Sequence, residues 1–142
     1  ESNTITLKKV SESYSPIKLD LINAPDIAQT IAVTALVLGV ECHMLGLHTL
    51  KIKETDRLVA LKTEIEKLGG EVDIDNKSLL LKPNAILNSN ISVATYNDHR
   101  MAMAFAPLAL RVPVKIQDAM VVSKSYPTFW QDLKTIGFKL NL

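Results

Sequence analysis

Two segments of this sequence, 26–38 and 98–110, would be apolar on almost every side of the helices they form, and no other feature restricts the fold as much. The first opens Asp26-Ile27-Ala28-Gln29 and stays largely apolar to Leu38, where Gly39 stops it. The second opens Asp98-His99-Arg100 and runs from Met101 to Leu110. A helix without a polar stripe has to be covered by other elements. Both runs fall far short of the roughly 20 residues that cross a bilayer, so both are read as helices buried in protein. Asp26 with Gln29 three residues later predicts a capping box, and Gly39 suits the left-handed stop after a helix. Pro107 predicts a kink or an early end in the second helix.

The remaining pattern makes these segments two copies of one unit. Apolar and polar residues alternate over 3–10 and 17–21, which predicts half-buried strands, and 40–50 is further strand material. Leu58, Leu61, Ile65 and Leu68 recur at helical spacing and predict an amphipathic helix over 54–68, ended by Gly69-Gly70. Strands follow at 71–74 and 78–82 around the turn Asp75-Asn76-Lys77, then at 91–95 and 114–116; a helix at 128–136 and a closing strand at 138–142 complete the chain. Asp98 follows Asp26 at nearly the interval by which Lys124 follows Lys53, and 78–82 stands before Asp98 much as 4–8 stands before Asp26. The expectation is one α/β (α+β) domain over 1–142, with internal repeats at approximately 1–70 and 71–142. Equivalent helix mouths should then face the same end of the domain.

Charge and cysteine content bear on partners. Sixteen Lys+Arg stand against fifteen Asp+Glu, a formal net charge of +1, so the chain as a whole offers no field for nucleic acid or an anionic membrane. The single cysteine, Cys42, cannot form an intrachain disulfide, and no secretory leader is apparent; a cytoplasmic setting is expected. Chemistry-bearing side chains gather at helix mouths: Asp26; Lys53, Glu54 and Arg57; Asp98, His99 and Arg100; Lys124 with Ser125. Helix N-termini favour phosphate or carboxylate, and added cations deepen such a site. On a first helical turn, Lys53, Glu54 and Arg57 would share a face, placing one acid and two cations toward one anionic ligand. Taken singly, the two aspartates would serve as caps and 54–57 as a solvated face of local ion pairs. His43 and His48 near Cys42 lack zinc-ligand spacing, Met101, Met103 and Phe105 read as core, and Tyr126, Phe129 and Trp130 as packing.

In sequence order, Leu50-Lys51-Ile52-Lys53-Glu54-Thr55-Asp56-Arg57-Leu58, Asp98-His99-Arg100-Met101-Ala102-Met103-Ala104-Phe105 and Lys124-Ser125-Tyr126-Pro127, with Pro25-Asp26 before them, closely resemble the 5-enolpyruvylshikimate-3-phosphate synthases. The resemblance covers nearly the whole chain but only the C-terminal third of the family's sequence. It implies an inside-out α/β barrel fragment: two βαβαββ-type repeats of the enolpyruvyl transferase domain, with buried apolar helices covered by outer sheets. It further implies transfer of the carboxyvinyl group of phosphoenolpyruvate to the 5-hydroxyl of shikimate 3-phosphate, releasing phosphate, in the shikimate pathway of aromatic amino-acid biosynthesis.

By the same resemblance Asp26 would hold and deprotonate the attacking hydroxyl, and Glu54 would donate a proton to the enolpyruvyl methylene. Lys53 would contact shikimate 3-phosphate, with Thr49 where many relatives carry a larger polar residue. Arg57, Arg100 and Lys124, with His99 beside them, would bind phosphoenolpyruvate. No metal or organic cofactor is implied. The partners implied are the two substrates and the missing N-terminal domain, with neither nucleic acid nor membrane, in a monomeric enzyme that is the target of glyphosate. The 142-residue chain alone is expected to be inactive. Two alternatives stand beside this one: a UDP-N-acetylglucosamine enolpyruvyl transferase-like enzyme, and a non-catalytic anion-binding module, against which the retained Asp26 and Glu54 argue because added negative charge gains such a module nothing.

Overall fold

Ile17 and Leu19 turn inward while Lys18 and Asp20 face solvent, which makes Ile17–Asp20 the first strand, β1, of the computed structural model. The structure describes residues 5, 6, 8, 14–52, 55–84 and 86–141. β1 pairs in parallel with β2, Cys42–Leu45, with Ile17 beside Cys42 and Asp20 beside Leu45. Parallel neighbours need a long crossover, and helix α1, Ala28–Leu38, supplies it. Helix α2, Arg57–Lys67, then leads into the hairpin of β3, Glu71–Ile74, and β4, Leu79–Lys82. Its turn is held by the Asp75 carboxylate, which accepts the N–H groups of Lys77 and Ser78, both at 2.7 Å. β4 adds antiparallel to the free side of β2, Met44 opposite Leu79, so the sheet runs β1-β2-β4-β3. A second parallel pair, β5 (Ile91–Val93) and β6 (Val114–Ile116), is linked across helix α3, His99–Phe105. Helix α4, Phe129–Thr135, closes the order.

A single main core joins both sheets. Ala32 and Leu36 of α1, Met44 and Leu81 of the first sheet, Leu61 of α2 and Phe105 of α3 are all buried in it. Packing of α1 against α3 carries the two β-α-β units side by side, so that their connecting helices meet at the centre. α1 is not covered all round, however. Thr30, Thr34 and Leu38 are exposed, leaving a groove of about 220 Å³ between α1 and the segment from Met103 to Leu110.

Several local expectations change in the folded chain. α1 begins at Ala28 after a 3₁₀ turn, Pro25–Ile27, and Ile27 occupies the cap position without a side-chain bond; Asp26 and Gln29 form no capping box. Gly39 is left-handed at φ 69°, as expected of the stop. α2 starts at Arg57, not at 54, because the Asp56 carboxylate accepts the Leu58 and Val59 N–H groups at 3.1 and 3.2 Å. The strand expected over 40–50 ends at Leu45, Gly46 turns the backbone at φ 76°, and His48–Ile52 is a 3₁₀ turn. Pro107 does end the second apolar helix early: α3 stops at Phe105, and Ala106–Leu110 is 3₁₀.

The closing strand expected at 138–142 is not formed over 138–141. There the Phe138 N–H turns back to the Leu133 carbonyl at 3.1 Å, behind Gly137 at φ 106°, and the segment joins no sheet. Most of the strand expected over 3–10 lies outside the described residues, and Ile5, Thr6 and Lys8 belong to no strand.

Gly46 lets β2 turn against β1. A Cβ there would come within 2.6 Å of an Asp20 carboxylate oxygen and 2.8 Å of Ile22 Cα, at a φ that side chains resist. Gly46→Ala should therefore lower stability by about 2 kcal/mol or more, read as a fall in the urea midpoint at unchanged slope. An unchanged midpoint would contradict this turn.

Candidate functional site

Arg57 opens α2, and its side chain is only 1% exposed. Such a charge is tolerated inside a protein only when paired. Its Nε donates to Asp98 Oδ2 at 2.6 Å and its Nη1 to Asp26 Oδ1 at 2.7 Å. Asp98 is fully buried and also caps α3, its Oδ1 accepting the Arg100 N–H at 2.9 Å. Gln29, buried on α1, donates from Nε2 to Asp98 Oδ2 at 3.4 Å. Arg100 closes the arrangement, with Nη2 3.4 Å from Asp26 Oδ2 and Nη1 3.9 Å from Asp98 Oδ1.

The result is a ring of alternating charge, Arg57, Asp26, Arg100 and Asp98, taking two members from each half of the chain. It grades from dry to wet. Arg57 and Asp98 form its sealed side, while the Asp26 and Arg100 side chains are 43% and 30% exposed. Two fixed cations beside an accessible carboxylate suit an anionic ligand whose protons must move.

Lys124 reaches the same end. It is the last residue of a 3₁₀ turn, Ala119–Lys124, and does not stand at a helix mouth; α4 begins only at Phe129. Its Nζ donates to Asn97 Oδ1 at 2.7 Å and to the Asn97 carbonyl at 3.3 Å, directly before Asp98. His99, the first residue of α3, is partly buried. Thr49 sits in the turn after β2, and its hydroxyl is buried without a hydrogen-bond partner among the described residues.

Lys53 and Glu54 lie outside the described residues. Helix α2 itself begins at Arg57 with Asp56 as its cap, and the expectation that Lys53 and Glu54 share a face with Arg57 falls on residues outside those described. The structure thus brings Asp26, Arg57 and Arg100 into direct contact and Lys124 to the adjoining turn. Sequence reasoning missed Gln29 as a partner of Asp98, and placed Asp98 at a helix mouth without giving it a role toward either substrate. A buried-face amide in an otherwise apolar helix was the available signal for Gln29. Among the described residues no cluster of His, Cys, Asp and Glu could hold a metal ion, and no helix is long and apolar enough to cross a membrane.

A family model described as EPSP synthase (3-phosphoshikimate 1-carboxyvinyltransferase) matches residues 1–133. A 3-phosphoshikimate 1-carboxyvinyltransferase of Bacteroides fragilis is 44% identical over 141 residues, covering 97% of this chain and 34% of the relative. One from Haemophilus influenzae is 40% identical over 127 residues, covering 87% of this chain and 29% of the relative. The chain therefore spans about a third of the length of the curated relatives it matches. Among solved structures, an EPSP synthase from Acinetobacter baumannii superposes with a TM-score of 0.70 at 21% identity, over 79% of this chain and 27% of that one. The enolpyruvyl transferase NikO from Streptomyces tendae gives 0.63 at 14% identity, over 87% and 28%. At such identities the structures speak for the shared fold.

Proposed function

Because the chain belongs to the EPSP synthase family, we propose that it supplies part of the active site of an enzyme that transfers the carboxyvinyl group of phosphoenolpyruvate to the 5-hydroxyl of shikimate 3-phosphate, releasing phosphate. The observation that carries this reading is the charge ring, because it joins Asp26 and Arg57 of one half to Asp98 and Arg100 of the other.

The proposed chemistry follows from which members reach solvent. Arg100, with Lys124 and His99 nearby, receives the carboxylate and phosphate of phosphoenolpyruvate. An anion arriving at Arg100 competes with Asp26 for that guanidinium and turns the carboxylate toward the shikimate hydroxyl, whose proton it accepts. The hydroxyl oxygen adds to C2 of phosphoenolpyruvate while Glu54 protonates C3, and the C–O bond to phosphate then breaks in the tetrahedral intermediate as its C3 methyl returns a proton to the Glu54 carboxylate. Arg57 holds Asp26 from the buried side and stabilises the charge that develops above it. Lys53 and Thr49 face shikimate 3-phosphate. The reading requires no metal or organic cofactor.

We also propose that residues 1–142 are one domain holding two of three repeated units. The units are read at approximately 1–70 and 71–142; β1 to β4 share one sheet and β5 and β6 another, and each sheet holds one parallel pair joined across a helix. The open α1 groove, lined by Val37, Leu38, Met103 and Pro107 among others, is then covered by the remainder of a longer polypeptide. A monomeric, cytoplasmic enzyme of the family that glyphosate targets completes the reading.

The test is a phosphate-release assay on a polypeptide carrying this chain with the two thirds its relatives add. Release that requires both substrates is expected, with none from the 142-residue chain alone. No release from the completed polypeptide would overturn the assignment. Release by the short chain would overturn the fragment reading.

A further inference from the structure

The turn between β5 and α3 has two consecutive non-glycine residues in the left-handed region, Tyr96 at φ 53° and Asn97 at φ 58°. A bulky residue there is strained and persists only where its surroundings over-determine it. Three contacts do so. Lys124 holds Asn97 by side chain and carbonyl, Arg57 holds Asp98, and the Tyr96 hydroxyl donates to Glu64 Oε1 at 2.7 Å.

Glu64 has no exposure at all, and Lys67 donates to both its oxygens, at 2.8 and 2.7 Å. It stands two turns beyond Arg57 on the buried face of α2. One helix therefore grips the strained turn at two points, through Arg57 at Asp98 and through Glu64 at Tyr96. A carboxylate buried merely for packing would be costly, whereas this one is fully partnered and aimed at the single bulky residue that the turn forces out of its preferred backbone region.

We infer that Tyr96 and Glu64 are a positioning pair: they hold the 95–98 turn so that Asn97 and Asp98 set Lys124 and the guanidinium of Arg100 for the phosphoenolpyruvate anion. The hydroxyl is suited to the task because burial, and after it the Glu64 hydrogen bond and charge, push its pKa up to about 12, which keeps it a donor throughout the physiological range. The pair touches neither substrate and acts through the turn. It rests on the proposed function only in naming the anion.

The experiment compares Tyr96→Phe, Glu64→Ala and Glu64→Gln in the polypeptide completed with the two thirds that relatives add. The glutamine keeps an oxygen that can accept from Tyr96. Tyr96→Phe and Glu64→Ala should each raise the KM for phosphoenolpyruvate roughly tenfold, with the KM for shikimate 3-phosphate unchanged and Glu64→Gln near the parent. A merely structural contact predicts a lower Tm with both KM values unmoved, and that result overturns the inference, as does a failure of Glu64→Gln to rescue. If the parent shows no turnover, the functional reading falls, and the pair is judged by inorganic phosphate affinity in the same proteins. Roughly tenfold weaker phosphate binding in Tyr96→Phe and Glu64→Ala, with Glu64→Gln near the parent, sustains it, and unchanged binding overturns it.

Discussion

Replacing Asp98 with alanine should lower folding stability by about 3–5 kcal/mol, the range expected when one partner of a buried pair is removed. The effect is large because Arg57 stays 1% exposed and loses its 2.6 Å partner, leaving a buried guanidinium with Asp26 alone among the two carboxylates that the ring supplies. Asp98→Ala also removes the cap of α3, a contribution of about 1 kcal/mol, and strands the amide of Gln29. An exposed pair gives the contrast. Lys82 and Glu71 are 48% and 69% exposed at 3.3 Å, and Lys82→Ala should change stability by less than about 1 kcal/mol. Urea unfolding of the two variants beside the parent decides the matter. Equal small losses would mean that the ring is no more than surface charge.

The second large effect falls on turnover. Asp26→Asn keeps the size of the side chain and one acceptor oxygen but removes the base, so kcat in the completed polypeptide should drop by roughly 10²–10⁴. Stability should move far less than in Asp98→Ala, because Asp26 is 43% exposed and Arg57 retains Asp98. The pairing of results matters more than either alone. Two aspartates of the same ring, one buried and one open, are expected to separate into a stability residue and a turnover residue. A kcat within a few-fold of the parent would remove Asp26 from proton transfer and leave it an ion-pair partner of Arg57 and Arg100.

Some of this was legible in the sequence, and the reason is range. Asp98 as a cap, Gly39 as a stop, Pro107 as a helix end, the Asp75 turn and the apolar face of α2 each depend on groups within a few residues of one another. The four ordered motifs fixed the family for a similar reason, since residue identity and spacing are properties of the chain itself. The same local reading misplaced Asp26. Asp26 and Gln29 have the capping-box spacing, but the 3₁₀ turn at Pro25–Ile27 displaces the helix start; Gln29 turns to Asp98 of the other half, and Asp26 bridges Arg57 to Arg100. The end of the chain shows the complementary failure: 138–141 has strand-like residues, yet a strand exists only where it pairs, and this segment is hydrogen-bonded to no strand among the described residues.

What only the tertiary structure decided is which charges meet. The contacts Arg57–Asp26, Arg57–Asp98 and Arg100–Asp26 span 31, 41 and 74 positions, and no periodicity encodes them. They exist because α1 packs against α3, which carries two aspartates and two arginines from separate halves to one place. There burial turns side chains that would be exchangeable on a surface into partners whose loss leaves a charge without water.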